Sequence, residues 1–96
     1  MAMINIEKAP GQPNAQFDPD PIAVAVGEVV AWTNRDSVKH WPGPVANPKG
    51  WLDDAIAGKL PGEPAPSSDG VSFAAADTYE YVCVYHPGET GTITAS

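Results

Sequence analysis

Proline and glycine interrupt this chain at short intervals and so limit the elements it can form. Of its 96 residues, 11 are proline and 9 are glycine. Proline breaks the interior of a helix, and glycine weakens both helices and strands. Short runs of β-branched and aromatic residues lie between the breaks, as is typical of an all-β sandwich. The spacing therefore favours short strands over long helices.

These runs define the predicted strands. They cover residues 3–7, an extended stretch with Phe17 and residues 22–26, and residues 28–34, 71–73, 78–84 and 91–95. Residues 42–66 are rich in Pro, Gly and Ala and are the least regular part. Within them, residues 51–60 are predicted to hold one short helical turn. In the strand that ends at Cys83, the period of two places Tyr79, Tyr81 and Cys83 on one face.

Length and charge narrow the class of protein. A chain this short predicts one domain, residues 1–96, and its single cysteine excludes an intrachain disulfide. The net charge of −7 argues against binding to nucleic acid or anionic membranes and favours a basic protein partner. No apolar run approaches the ~20 residues of a membrane span. No signal peptide is present, so we expect a mature chain whose signal has been removed.

The chain's only cysteine and its two histidines are the strongest indication of function. Cys83 ends the most convincing strand, His86 lies in the loop just after it, and His40 follows the strand that ends near Asn34. A thiolate is a soft ligand that favours Cu(I), and imidazoles suit both copper oxidation states. Zinc can use the same atoms. In the alternative interpretation, Cys83 is a buried small hydrophobic residue and both histidines are ordinary loop residues.

Two segments resemble the cupredoxins, in the plastocyanin and amicyanin branch. Residues 79–94, YEYVCVYHPGETGTIT, are similar to the family's aromatic-x-aromatic-x-Cys-x-x-His-Pro-x-Met-x-Gly signature. Residues 26–40, VGEVVAWTNRDSVKH, are similar to its Gly-Asp/Glu-x-Val-x-Trp/Phe-x-Asn-x-Asp-x-x-x-His stretch. The resemblance implies a cupredoxin-like Greek-key β-sandwich with a mononuclear type 1 copper site. It implies the ligands His40, Cys83 and His86.

The chain departs from this pattern at two positions. Glu89 occupies the position of the weak axial methionine, and the only methionines, Met1 and Met3, are N-terminal. Three alternatives stay open: Glu89 supplies an oxygen, the axial position is empty or holds a backbone carbonyl, or Glu89 is a solvated loop carboxylate. Whether the glutamate is natural or an engineered replacement of methionine is also open. A carboxylate ligand favours Cu(II), lowers the reduction potential and gives a green or red site rather than a blue one. The second departure is Trp41, which directly follows His40. The backbone N–H of Trp41 can still donate to the cysteine sulfur.

The resemblance implies an electron carrier rather than an enzyme. It holds one copper ion that alternates between Cu(I) and Cu(II), and it is monomeric and periplasmic or otherwise extracytoplasmic. Its exposed electron-transfer surface is expected around His86, with contributions from Pro42, Pro44, Pro87 and Gly88. The acidic net charge predicts a redox protein partner with a basic patch.

Three other functions remain open at this level. The missing methionine also suits a copper-binding or copper-delivery protein that transfers no electrons. The same sandwich can serve as a metal-free interaction domain. An oxygen-ligated copper site with an open position for a small molecule is the third, enzymatic alternative.

Overall fold

A computed structural model describes all 96 residues and contains eight strands and no helix. No segment is thus a helix that could span a lipid bilayer. The strands are β1 (Ala2–Glu7), β2 (Gln16–Asp18), β3 (Ile22–Val24), β4 (Val29–Asn34), β5 (Pro42–Pro44), β6 (Val71–Ser72), β7 (Asp77–Cys83) and β8 (Thr90–Ala95). The all-β prediction is confirmed, and the predicted strands are present with bounds that differ by a few residues.

The strands form two mixed four-stranded sheets that make a β-sandwich. One sheet has the order β2-β1-β4-β6, and the other has the order β3-β8-β7-β5. The pairs β1–β4 and β3–β8 are parallel, and the remaining pairs are antiparallel. Non-consecutive strands are therefore neighbours in both sheets, so the chain crosses between the sheets before either is complete.

The core lies between the sheets and is built on aromatic side chains. Trp32 of β4 and Tyr81 of β7 are fully buried, and their rings meet edge to face with centroids 5.4 Å apart. Phe17 packs against Tyr81 from the first sheet with centroids 4.8 Å apart. Burying each such side chain stabilises the fold by about 1.5–3 kcal/mol. Cys83 is the last core residue of its strand, as the predicted alternation requires.

The predicted second extended stretch is two separate strands in different sheets. Phe17 lies in β2, which pairs with β1, whereas residues 22–24 form β3, which pairs with β8. Residues 18–21, Asp-Pro-Asp-Pro, connect them and cross from one sheet to the other. Since each proline lacks a backbone donor, the connection cannot continue the ladder of either sheet.

The predicted helical turn in residues 51–60 is wrong, because distant partners take the backbone groups it would need. The N–H of Ile56 donates to the carbonyl of His40 at 2.8 Å, and the His40 N–H returns a bond to Ile56 at 3.2 Å. The carbonyl of Leu52 accepts a bond from the Trp41 indole at 3.2 Å. The segment is therefore an irregular loop tied to the residues around His40.

Strand β5, which was not predicted, lies at the edge of the second sheet and pairs with the end of β7. Pro42 is opposite Cys83, Gly43 opposite Val82, and Pro44 opposite Tyr81. Proline is tolerated here because an edge strand leaves one side of its backbone unpaired. This pairing brings the segment after His40 alongside Cys83.

Gly91 has no room for a side chain and provides a test of the core. It lies opposite Tyr81 in the β7–β8 ladder, and a Cβ there would collide with the Tyr81 ring. Gly91→Val is expected to lower the free energy of unfolding by about 1–3 kcal/mol, because the ring is wedged between Phe17 and Trp32. Urea unfolding followed by tryptophan fluorescence measures this free energy.

Thr94→Val, exposed on the same strand, is the control and should change stability by less than about 0.5 kcal/mol. Equal midpoints for the two variants would contradict this account of the core.

Candidate metal centre

The loop between β7 and β8 is closed by its own backbone. The N–H of Cys83 donates to the carbonyl of Glu89 at 3.0 Å, which continues the strand pairing past the end of β7. The N–H of Glu89 donates to the carbonyl of His86 at 2.9 Å, and the N–H of His86 donates to the carbonyl of Cys83 at 3.3 Å. Three predicted site residues therefore sit on one short loop with little freedom to separate.

A second loop delivers His40, and Asn34 at the end of β4 organises it. The Asn34 amide donates to the carbonyls of Val38 at 2.8 Å and Ala57 at 3.0 Å. Its side-chain oxygen accepts the N–H of Asp36 at 3.0 Å. This is an Asx turn, in which an amide side chain replaces backbone partners. The fully buried Asn34 side chain thus joins the His40 loop to the loop that contains Ala57.

Asp36 orients the ring of His40. The Asp36 carboxylate lies 2.9 Å from His40 Nε2, His40 is fully buried, and Asp36 is 9% exposed. An Nε2–H that donates to this carboxylate leaves Nδ1 as the ligand atom, which is how second partners set the tautomer of metal-binding histidines. This role was missed in the sequence, although Asp36 is part of the motif that precedes His40.

Four donor atoms converge at the end of the sandwich. Cys83 Sγ lies 3.7 Å from His40 Nδ1 and 3.6 Å from His86 Nδ1. With an oxygen of Glu89, all the donor atoms lie within 4.8 Å of one another. A sulfur at about 2.3 Å and a nitrogen at about 2.0 Å from one ion stand roughly 3.5–3.7 Å apart at angles of 110–120°. The sulfur–nitrogen separations therefore fit a single metal ion.

Glu89 is a buried member of this cluster and not a solvated loop carboxylate. Its side chain is 3% exposed, and Oε1 lies 3.0 Å from His40 Nδ1 and 2.9 Å from His86 Nδ1. Neither nitrogen is aligned to donate to it, so Oε1 is buried without a hydrogen-bond partner. The other oxygen, Oε2, accepts the N–H of Ala15 at 2.6 Å. A buried carboxylate oxygen left without a donor and aimed between two imidazoles fits a metal ligand.

The thiol and the buried imidazole shift each other's pKa. Burial lowers the pKa of His40, but hydrogen bonds with Cys83 and Asp36 and the charge of Glu89 outweigh it, and the pKa rises to about 9. Burial raises the pKa of Cys83, but hydrogen bonds from His40, from the N–H groups of Trp41 and Tyr85 and from His86 lower it to about 7. The Trp41 N–H lies 3.4 Å from Sγ, as the resemblance implied. Such stabilisation of the thiolate favours metal binding.

The exposed edge of the cluster belongs to His86, whose side chain is 37% exposed. Pro87 and Gly88 beside it are exposed, and Pro44 is half-buried. Pro42, expected on this surface, is fully buried because β5 pairs it with Cys83 beneath the site. Pro42 therefore supports the site from inside and contributes nothing to a docking surface. Tyr85, not predicted, is 47% exposed and packs against the His86 ring.

Metal binding is expected to release protons in a pH-dependent way, because Cys83 and His40 bind metal only when deprotonated. With pKa values of about 7 for Cys83 and about 9 for His40, the number released should fall by about one between pH 6 and pH 8. The apparent affinity should rise over the same range. Calorimetric titration with Zn(II) in buffers of different ionisation enthalpy measures both. Cys83→Ser is the control: without the thiol, it should release about one proton fewer than the wild type at pH 6. A release that does not vary with pH would contradict these pKa values.

Comparison with known proteins gives matches among solved structures only. No family model matches the chain, and no curated protein does. A structure described as a novel purple cupredoxin from Nitrosopumilus maritimus is 26% identical, with all of both chains covered and a TM-score of 0.71. A reduced Cu(I) form of an amicyanin mutant is 26% identical over 99% of this chain and 81% of that one, with a TM-score of 0.69.

Amicyanin from Paracoccus versutus is 23% identical over 99% of this chain and 80% of its own, with a TM-score of 0.68, a likeness that shows the fold alone. These structures agree with the two-sheet architecture described above. The chain therefore has the cupredoxin fold, and its His, Cys, His and Glu cluster fits a cupredoxin site with Glu89 in the axial position.

Proposed function

We propose that the chain is a small copper protein that carries single electrons between redox partners through one copper ion held by His40, Cys83, His86 and Glu89. The observation that carries this proposal is the convergence of the four donor atoms within 4.8 Å, at the buried end of the sandwich. A soft thiolate with two imidazoles is the donor set of copper electron-transfer sites. When bound, copper supplies a one-electron couple between Cu(II) and Cu(I).

The chain's own contribution is to hold each ligand in place from outside the site. Cys83 is fixed by the β7–β8 pairing, His40 by Asp36 and its backbone bridge to Ile56, and Glu89 by the Ala15 N–H. A ligand held in this way moves little when the charge of the site changes. Small movement is what rapid electron transfer requires, since preorganised groups need no rearrangement at the moment of reaction.

Two groups tune the site in opposite directions. The Trp41 N–H donates to Cys83 Sγ and so withdraws negative charge from the sulfur. Glu89 adds a carboxylate where a neutral methionine is usual in the family. A unit negative charge near the metal stabilises Cu(II) more than Cu(I), so we expect a reduction potential below that of methionine-ligated sites.

His86 is the proposed electron port, because it is the only ligand with substantial exposure. A redox partner docks there, against His86 and Pro87. We further propose that the protein acts as a monomer, is no enzyme, and works in the periplasm or an equivalent compartment outside the cytoplasm. The resemblance of residues 26–40 and 79–94 to the cupredoxins motivates this part of the proposal.

Replacing the sulfur tests the metal assignment directly. Cys83→Ser is expected to abolish the intense visible absorption that thiolate-to-Cu(II) charge transfer produces, because a hydroxyl is a far weaker donor. Optical and EPR spectra after addition of Cu(II) measure the effect. Thr90→Ser, an exposed position at the start of β8, is the control and should keep the band. Retention of the band in Cys83→Ser would end the assignment.

Replacing the carboxylate tests the axial position. Glu89→Met is expected to raise the reduction potential by on the order of 100 mV, since a nearby unit charge contributes about 4 kcal/mol at an effective permittivity of 20. The visible spectrum should shift toward that of a blue site. Protein-film voltammetry measures the potential. Glu80→Met, at an exposed position of β7, removes the same charge away from the site and should shift the potential far less. Equal shifts in both variants would show that Glu89 is no ligand.

The same voltammetry separates electron transfer from copper delivery. A carrier cycles reversibly between its two states, because its ligands keep one arrangement. Failure to cycle, with copper lost on reduction, would favour a copper-binding or copper-delivery role.

A further inference from the structure

The chain's few basic side chains are concentrated around the exposed edge of His86. Only 5 lysines and arginines stand against 12 aspartates and glutamates. Yet Lys8 lines one hollow that His86 helps to form, and Lys39 lines a second one that also includes His86. Two of the five basic residues therefore flank the ligand that reaches the surface.

A third lysine is connected to the same edge by aromatic rings that pack edge to face. Lys49 Nζ lies 5.3 Å from the centre of the Trp41 ring, a cation–π arrangement. The Trp41 ring packs on Tyr85, and Tyr85 packs on His86, with centroids 6.4 Å apart in each pair. The positive charge of Lys49 is thus fixed near the apolar surface beside the port.

No exposed carboxylate lines either hollow. The acidic residues there are Asp36 and Glu89, which are 9% and 3% exposed, and both face the buried site. Asp53, Asp54 and Asp69 share a separate hollow to which His86 does not contribute. Two exposed carboxylates lie closer and have partners of their own: Glu7, beside Lys8, lies 3.9 Å from Arg35, and Asp20, which lines a hollow with Gly88, accepts the Thr92 N–H at 2.9 Å. Asp77 begins β7, whose seven residues place it roughly 20 Å from Cys83.

Apolar side chains complete this surface. Val38 is 48% exposed and Tyr85 is 47% exposed, and both border the hollow that Lys39 and His86 form. We call the surface made by Lys8, Val38, Lys39, Tyr85, His86 and Pro87 the His86 face. Its apolar centre and basic rim match the general anatomy of a protein docking surface.

We propose that the His86 face binds an acidic one-electron redox protein, with carboxylates around its own cofactor edge. This rests on the proposed electron-carrier function and names the partner's charge. The net charge of −7 favours a basic partner, but it averages over every face of the molecule. Screening limits a charge's reach to about 8–10 Å at physiological salt, so the lysines beside His86 govern docking there. One electron then passes between the partner's cofactor and the site through the His86 edge, with no bond made or broken.

Cytochrome c and its succinylated form provide a matched pair of probes, because they share a fold and a haem but carry opposite surface charge. Electron transfer from the acidic, succinylated form to the Cu(II)-loaded protein is expected to slow as salt is added, as for attracting surfaces. Transfer from the native, basic form should slow much less or accelerate. Stopped-flow absorbance measures both rates. A stronger salt-induced slowing with the basic form would overturn the proposal.

Charge variants locate the effect on the molecule. Lys8→Gln with Lys39→Gln removes two positive charges beside His86, and the rate with succinylated cytochrome c at low salt should fall roughly fivefold. Ala74→Glu with Thr94→Glu changes the net charge equally at exposed positions remote from Cys83 and should have an effect below about twofold. Equal losses in the two double variants would mean that net charge, and not the His86 face, controls docking.

A second readout needs no electron transfer and separates this proposal from the function it builds on. Hexacyanochromate(III), a redox-inert paramagnetic anion, is titrated into ¹⁵N-labelled, Zn(II)-loaded protein. The amide signals of Lys8, Lys39 and Tyr85 should broaden at the lowest concentrations, and those of Asp77 and Thr94 should not. Absence of this pattern would overturn the basic face even if copper cycles normally. Its presence in a protein that fails to cycle copper would refute the carrier function alone.

Discussion

The hydrogen bond from the Cys83 N–H to the Glu89 carbonyl is the constraint on which the site depends. It extends the β7–β8 pairing one step into the loop, so the backbone positions of Cys83 and Glu89 are fixed by the sheet. His86 lies between them and has its own N–H and carbonyl bonded to the same two residues. Only the position of the second imidazole must then come from elsewhere, and Asn34 supplies it by fixing the turn before His40.

The site also concentrates charge in a place where charge is costly. Two carboxylates, two imidazoles and a thiol lie together at the end of an apolar core, and four of the five groups are nearly or fully buried. Burial of an unpaired ion costs several kcal/mol, so a cluster of this kind requires internal pairing. Asp36 pairs with His40, and the Trp41 N–H faces the sulfur. Glu89 Oε1 is the one atom left over, and a cation would provide its partner.

Sequence reasoning was sufficient for features with local causes. The alternation along β7 predicted the buried face of Tyr81 and Cys83, and the cysteine and histidines are in the predicted cluster. It failed where contacts with residues distant in the sequence determine the local structure. No helical turn forms after Trp51, because its backbone groups bond to His40 and Trp41. The edge strand at Pro42 forms despite its prolines because it pairs with β7.

The environment of Glu89 could not be read from the sequence for the same reason. Its burial depends on the Ala15 N–H, 74 residues earlier in the chain, and no local pattern encodes such a contact. The placement of Lys8 and Lys39 beside His86 could not be predicted either, since composition says nothing about which face carries the lysines. The contact of Asp36 with His40 could have been predicted, because Asp36 lies four residues before His40 in the polar turn.

The parallel pairing of β8 with β3 has a consequence for biogenesis. β8 lies between β3 and β7, so β3 has no partner and β7 has only β5 until the segment up to Ala95 has been synthesised. The ligand loop cannot take its shape on a nascent chain, because its closing bond belongs to that same ladder. The donor cluster is therefore complete only in the folded chain, where the hollow beside His86 would give a metal ion access from the solvent side.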